Sequence, residues 1–220
     1  MSRLLCRLWI TSTSGAAADY GRGVRWDNLF DDLEGQLENE LTAEDAELRA
    51  EEERLRLGRL GLRQRLAGVR DGPTGSRVLQ VVLVGAQTIT LRPTVFGRDW
   101  LAADLLEAGA GTPQCILPFG AIAAVVLHTD QVAPSLAEVV DEPARMVDRI
   151  GLPFVLRDLC RRRKSLQIQT GVGQVTGTID RVGRDHIDVA VHAAGTLRRA
   201  SEVQQLRIVP IPQIQLVRLD

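Results

Sequence analysis

The densest group of side chains able to do chemistry is Arg161-Arg162-Arg163-Lys164. Phosphate contacts need only positive charge, and such a run supplies several. Arg157, Arg181, Arg184, Arg198 and Arg199 extend it, and these nine are the candidate nucleic-acid-binding residues. A plainer reading stands beside this one: basic residues at the end of a helix suit its dipole and simply face water. Proteins that read single strands also stack bases on aromatic rings. Residues 151–220 offer only Phe154 for that.

Other chemistry is thinner. Gly171-Val172-Gly173-Gln174-Val175-Thr176-Gly177 has glycines, but a phosphate cradle needs a helix N-terminus behind it, and a strand-like pattern follows here. It reads as a turn with a close-packed strand glycine at Gly177. His186 and His192 have no third ligand at metal spacing. His128 and Asp130 lack a nucleophile, and no carboxylate pair stands apart from helical surface charge. Cys115 and Cys160 read as core residues. The expectation is therefore no enzyme, no catalytic residue, no cofactor, no metal and no small-molecule substrate.

The net charge of −1 conceals a segregation. Residues 27–53 hold twelve acids against Arg49, whereas residues 54–130 hold nine arginines against five acids. Residues 151–220 hold eleven basic residues against six acids. An acidic arm thus precedes two mildly basic stretches. Cys6, Cys115 and Cys160 are odd in number, far apart and without CxxC spacing, which suits a reducing compartment and a cytoplasmic location. No apolar run approaches the ~20 residues that span a bilayer, so no membrane is expected. Arg7 splits the apolar start too early for a signal peptide. Residues 1–23 lack periodicity and are expected to be a disordered or untranslated leader, the organised chain beginning at Val24.

The elements that must position these residues follow from spacing. Trp26, Leu29, Phe30, Leu33, Leu37 and Leu41 recur at intervals of three and four, one face of a helix. Thr42-Ala43-Glu44-Asp45 reads as a second helix start with Thr42 as its cap. Residues 24–59 form an acidic helical arm whose narrow apolar stripe must bury against something. Trp26, Leu29, Phe30, Leu33 and Leu37 are its candidate partner-docking residues, for another protein or for self-association. Leu60, Leu62 and Leu66 continue as a helix, and short alternating segments follow from Val78 to Val126. Residues 128–150 read as a linker with a short helix inside it. Phe154 to Leu159 predicts a helix, and alternating segments resume to the C-terminus.

One unit is written twice. Ile116-Leu117-Pro118-Phe119-Gly120-Ala121-Ile122-Ala123-Ala124-Val125 aligns without a gap on Ile208-Val209-Pro210-Ile211-Pro212-Gln213-Ile214-Gln215-Leu216-Val217. Upstream, Phe96-Gly97-Arg98-Asp99-Trp100-Leu101 matches Val182-Gly183-Arg184-Asp185-His186-Ile187. A leading helix, about five short strands, a glycine in the second strand (Gly177) and a closing hydrophobic–turn–hydrophobic element together resemble the Sm-like family, which includes the bacterial RNA chaperone Hfq and the Sm and Lsm proteins. The resemblance covers residues 60–127 and 151–220. It implies two tandem Sm-like small β barrels, each with a leading helix, after the acidic arm.

The family's RNA-reading residues do not carry over. Pro118-Phe119-Gly120 and Pro210-Ile211-Pro212 stand where Hfq has a Tyr-Lys-His triplet. Gly-Arg-Asp turns replace the family's Asp-x-x-x-Asn turn. Prolines also remove backbone donors near the strand that relatives use to pair with ring neighbours. The chain is therefore expected to be a non-catalytic interaction or scaffold protein. The alternative is an RNA-binding regulator that uses the basic patch.

Overall fold

The computed structural model describes residues 26–72, 77–106, 111–137, 145–195 and 198–219. The expected leader lies outside them. Contacts divide the chain into two units, Met1–Arg56 and Leu57–Asp220, which are taken in turn.

The first unit contains most of α1, Trp26–Arg59, a single helix of 34 residues. Its leucines, glutamates, arginines and alanines are good helix formers. The expected break at Thr42 does not occur. The Thr42 hydroxyl instead donates to the Glu38 and Asn39 carbonyls, at 2.8 and 2.9 Å, as a threonine inside a helix does. Ion pairs run along the surface: Asp45 with Arg49, Glu51 with Arg54, Glu53 with Arg56. Phe30, Leu33, Leu37, Leu41, Leu48 and Leu55 form one apolar stripe along α1, and all are exposed.

The second unit is built on alternate burial. A helix α2, Leu62–Asp71, precedes β1 Leu79–Leu83, β2 Thr88–Phe96, β3 Trp100–Leu105, β4 Gln114–Pro118 and β5 Ile122–Val126. After α3, Thr129–Leu136, and a 3₁₀ turn at Met146–Arg149, the pattern repeats. It runs as α4 Leu152–Arg162, β6 Ser165–Thr170, β7 Gly173–Val182, β8 His186–Val191, β9 Gln205–Pro210 and β10 Ile214–Leu219. In β1, Leu79, Val81 and Leu83 point inward; in β6, Leu166 and Ile168 do; in β8, Ile187 and Val189 do.

All ten strands join one antiparallel sheet in the order β5-β1-β2-β3-β4-β10-β6-β7-β8-β9. Each half therefore has the same internal order. The fine structure repeats as well. A register shift falls between Pro93 and Val95 in β2, and another between Ile179 and Arg181 in β7. The 3₁₀ turns Phe119–Ala121 and Ile211–Gln213 both join a proline-ended strand to the next one. The two aligned segments are thus equivalent strand–turn–strand elements, as their spelling predicts.

Among the described residues the sheet is open, and β5 and β9 are its edges. This corrects the expectation of two separate barrels. The physical reason lies in β10, which pairs with β6 on one side and with β4 on the other. Ile116 faces Val217, Cys115 faces Arg218 and Gln114 faces Leu219. Pro118 does not prevent this pairing, because it lies beyond the paired residues and faces Trp100 on β3.

Two apolar clusters result. One gathers Leu66, Val69, Leu79, Leu91, Leu105 and Leu117. The other gathers Leu156, Leu159, Leu166, Ile168, Ile179 and Val189. Trp100 and Ile116, from the first half, belong to the second cluster, so the junction is packed and not merely hydrogen-bonded. Between the halves, α3 is held by Gln131. Its amide donates to the Val78 carbonyl and its oxygen accepts the His128 N–H. No helix among the described residues is long and apolar enough to cross a membrane.

Candidate anion-binding cleft

The repeated Gly-Arg-Asp turn joins β2 to β3 and β7 to β8. In each copy a ring folds back over the glycine. A Cβ on Gly97 would collide with the Trp100 indole, and one on Gly183 would meet the His186 imidazole. In the first copy the turn also grips the start of α4. The Trp100 indole N–H donates to the Ile150 carbonyl at 2.9 Å, and the Arg98 backbone N–H bonds the same oxygen at 3.0 Å. Asp99 Oδ1 accepts the Leu152 N–H at 2.7 Å, a helix cap supplied from a distant turn because Gly151 has no side chain to give one. The Arg98 guanidinium is left over Gly151.

An open cleft of about 610 Å³ lies there, walled by Arg98, Arg157, Arg184, Pro153, Phe154 and Val182. Arg157, Arg184 and Phe154 are exposed. Arg157 and Arg184 form no ion pair among the described residues, and Arg98 reaches Asp99 only at 3.4 Å. Three guanidiniums around a cleft with one ring at its rim can hold an anionic group and stack a planar one. Arg98 escaped the sequence reading, although the Gly97-Arg98-Asp99 repeat was the signal that pointed to it.

The nine residues named from sequence divide. Arg157 and Arg184 enter the cleft. Arg161 and Arg162 both bond Asp158, at 3.0 and 2.6 Å. Arg163 caps α4 in the left-handed conformation and lies 3.6 Å from Asp180. Arg198 grips Asp180 with two bonds, and its guanidinium holds the Asp180 carboxyl below the usual carboxylate range. Arg181 lies 3.8 Å from Asp188. Lys164 and Arg199 carry no ion pair among the described residues. Each arginine of the run 161–163 thus has a carboxylate neighbour, and both carboxylates are shared between two arginines.

The remaining candidates also have places. Phe30, Leu33 and Leu37 are exposed on α1, while the side chains of Trp26 and Leu29 lie outside the described residues. His192 is buried, with Nε2 2.9 Å from the Thr178 hydroxyl and Nδ1 3.0 Å from the Ala193 carbonyl. His186 bonds Asp185 at 2.7 Å and holds that carboxyl low. Gly177 is close-packed as expected, since a Cβ there would strike the Ala190 carbonyl. Among the described residues no group of three or more His, Cys, Asp or Glu could hold a metal. Comparisons with family models, curated proteins and solved structures return no match.

Proposed function

We propose that the chain is a non-catalytic interaction or scaffold protein, its second unit a tandem of Sm-like halves and its arm a docking element. The observation that carries this reading is the stripe on α1. Six large apolar side chains share one face of a long helix and all stand exposed. Exposed apolar area of this extent marks a binding surface. The acidic residues that flank it oppose pairing with a second arm and favour a partner groove rimmed by basic side chains. A helix laid into an apolar groove is a common recognition mode.

A second reading has one observation in its favour. The Arg98–Arg157–Arg184 cleft is a place where an RNA phosphate and base could sit, with Phe154 beside them. The family-type resemblance supports it less, because the relatives' RNA-reading residues are replaced.

One experiment separates the two. The full chain, a Leu33→Glu/Leu37→Glu variant and an Arg98→Glu/Arg157→Glu/Arg184→Glu variant serve as baits in affinity purification, and both protein and RNA are identified. The interaction reading expects a defined protein that is lost with the arm variant and kept with the cleft variant. RNA lost only with the cleft variant, together with no protein that depends on the arm, would replace the first reading by the second.

A further inference from the structure

Both Gly-Arg-Asp turns are pinned by their backbones. In the first, the Ile150 carbonyl takes the Arg98 N–H and the Trp100 indole N–H. The Asp99 carbonyl accepts the Phe119 N–H at 3.0 Å, and in the second turn the Asp185 carbonyl accepts the Ile211 N–H at 2.8 Å. The first turns of α4 meet both at the cleft. Arg98, Arg157 and Arg184 thus come from three separate elements whose backbones are set before any ligand arrives.

Room for the first guanidinium is made by a missing side chain. A Cβ on Gly151 would lie 2.5 Å from Arg98 Nη2 and 3.1 Å from its Cζ. The Gly151 backbone, at φ −86° and ψ 160°, suits any residue, so it is the space that needs glycine. The start of α4 offers little of its own. The Leu152 N–H is bonded to Asp99, Pro153 has none, and the Phe154 N–H bonds the Gly151 carbonyl at 3.0 Å. Recognition of an anion therefore falls to the guanidiniums.

Their arrangement selects among anions. Three guanidiniums from three elements suit a tetrahedral group with three terminal oxygens better than a carboxylate with two. Asp99, 3.4 Å from Arg98, offsets one of the three charges. Two remain, which matches a phosphate monoester near neutral pH. Pro153, Phe154 and Val182 give the cleft an apolar side, and the exposed Phe154 ring can stack a flat group. The site suits one phosphate and not a strand. Arg161 and Arg162 share Asp158, so the next arginines along α4 do not continue a track of free charge. A single ring is also too few for successive bases.

We propose that the cleft binds one phosphate monoester carried on a flat apolar group, an aryl phosphate in its simplest form. The phosphate lies among Arg98, Arg157 and Arg184, and the flat group lies on Phe154. A cleft of about 610 Å³ is of small-ligand size. The inference does not use the arm, so its failure leaves the docking stripe untouched. It also differs from the RNA reading, which needs a strand.

Isothermal titration of the full chain with phenyl phosphate tests it. Saturable binding of one equivalent is expected, with inorganic phosphate weaker and benzyl alcohol not bound. Arg98→Gln, Arg157→Gln and Arg184→Gln, all at exposed sites, should each weaken phenyl phosphate by about tenfold or more with unchanged circular dichroism. Phe154→Ala should weaken phenyl phosphate and leave inorganic phosphate unchanged. Gly151→Ala keeps every charge but displaces Arg98, so it should weaken both. Affinity should fall as pH drops through about 6, where the ester loses its second charge. A phosphotyrosyl peptide that binds more tightly than phenyl phosphate assigns the group to a protein side chain, and equal or weaker binding assigns it to a free ester. No saturable binding at about 1 mM phenyl phosphate would overturn the proposal, as would an affinity unchanged in all three arginine variants. An RNA oligonucleotide that binds far more tightly, and loses that affinity in the same variants, would overturn it in favour of a strand.

Discussion

Asp180 sits on β7 with two bonds from Arg198 and a longer contact from Arg163. Its carboxyl is held low chiefly by the Arg198 hydrogen bonds. A carboxyl whose folded value is depressed stabilises the fold above its unfolded value, and that stability is lost as pH falls through the folded value. Asp180→Asn is therefore expected to lower the urea midpoint at neutral pH. The gap to wild type should close as pH drops below the ordinary aspartate range; a gap that stays constant in acid would refute the assignment. The same residue explains why the basic patch looked stronger in sequence than in space. Asp158 stands three and four positions before Arg161 and Arg162, a spacing that predicts their pairing on a helix. Asp180 lies 18 positions before Arg198, so that pairing needed the β7–β8 hairpin to bring them together. Arg98 is the opposite case: its partners in the cleft come from α4 and the β7–β8 turn, which no local pattern places beside it.

At the scale of elements, periodicity carried most of the information. Alternation located the strands, and three–four spacing located α2 and α4, because each buries one face. The repeat was legible because both halves bury equivalent positions, down to the register shifts in β2 and β7. The break at Thr42 was misread. A threonine followed by acids has the composition of a helix start, yet the flanking residues favour helix so strongly that the hydroxyl turned back onto Glu38 and Asn39. Thr42→Ala distinguishes a cap from an internal threonine. As a cap, Thr42 would contribute about 1 kcal/mol, lost on substitution. Inside a helix, alanine is the better former. Helical ellipticity is expected to hold or rise in the variant, and a fall would restore the break.

At the scale of the molecule, the pairing of β4 with β10 makes two short repeats into one sheet. It joins residues about a hundred positions apart, and neither strand's own pattern records which edge its partner takes. Loop closure over that distance costs little more than over a shorter one, and burial of Trp100, Ile116 and Val217 supplies the return. The docking role proposed for α1 rests on apolar surface that the described residues leave uncovered.

The most direct test of the tandem account is a nuclear Overhauser measurement on the full chain. Cross-strand contacts are expected between Gln114–Ile116 and Val217–Leu219, in antiparallel register. Contacts of Val217–Leu219 with β6 alone, with Gln114–Ile116 meeting only β3, would contradict it.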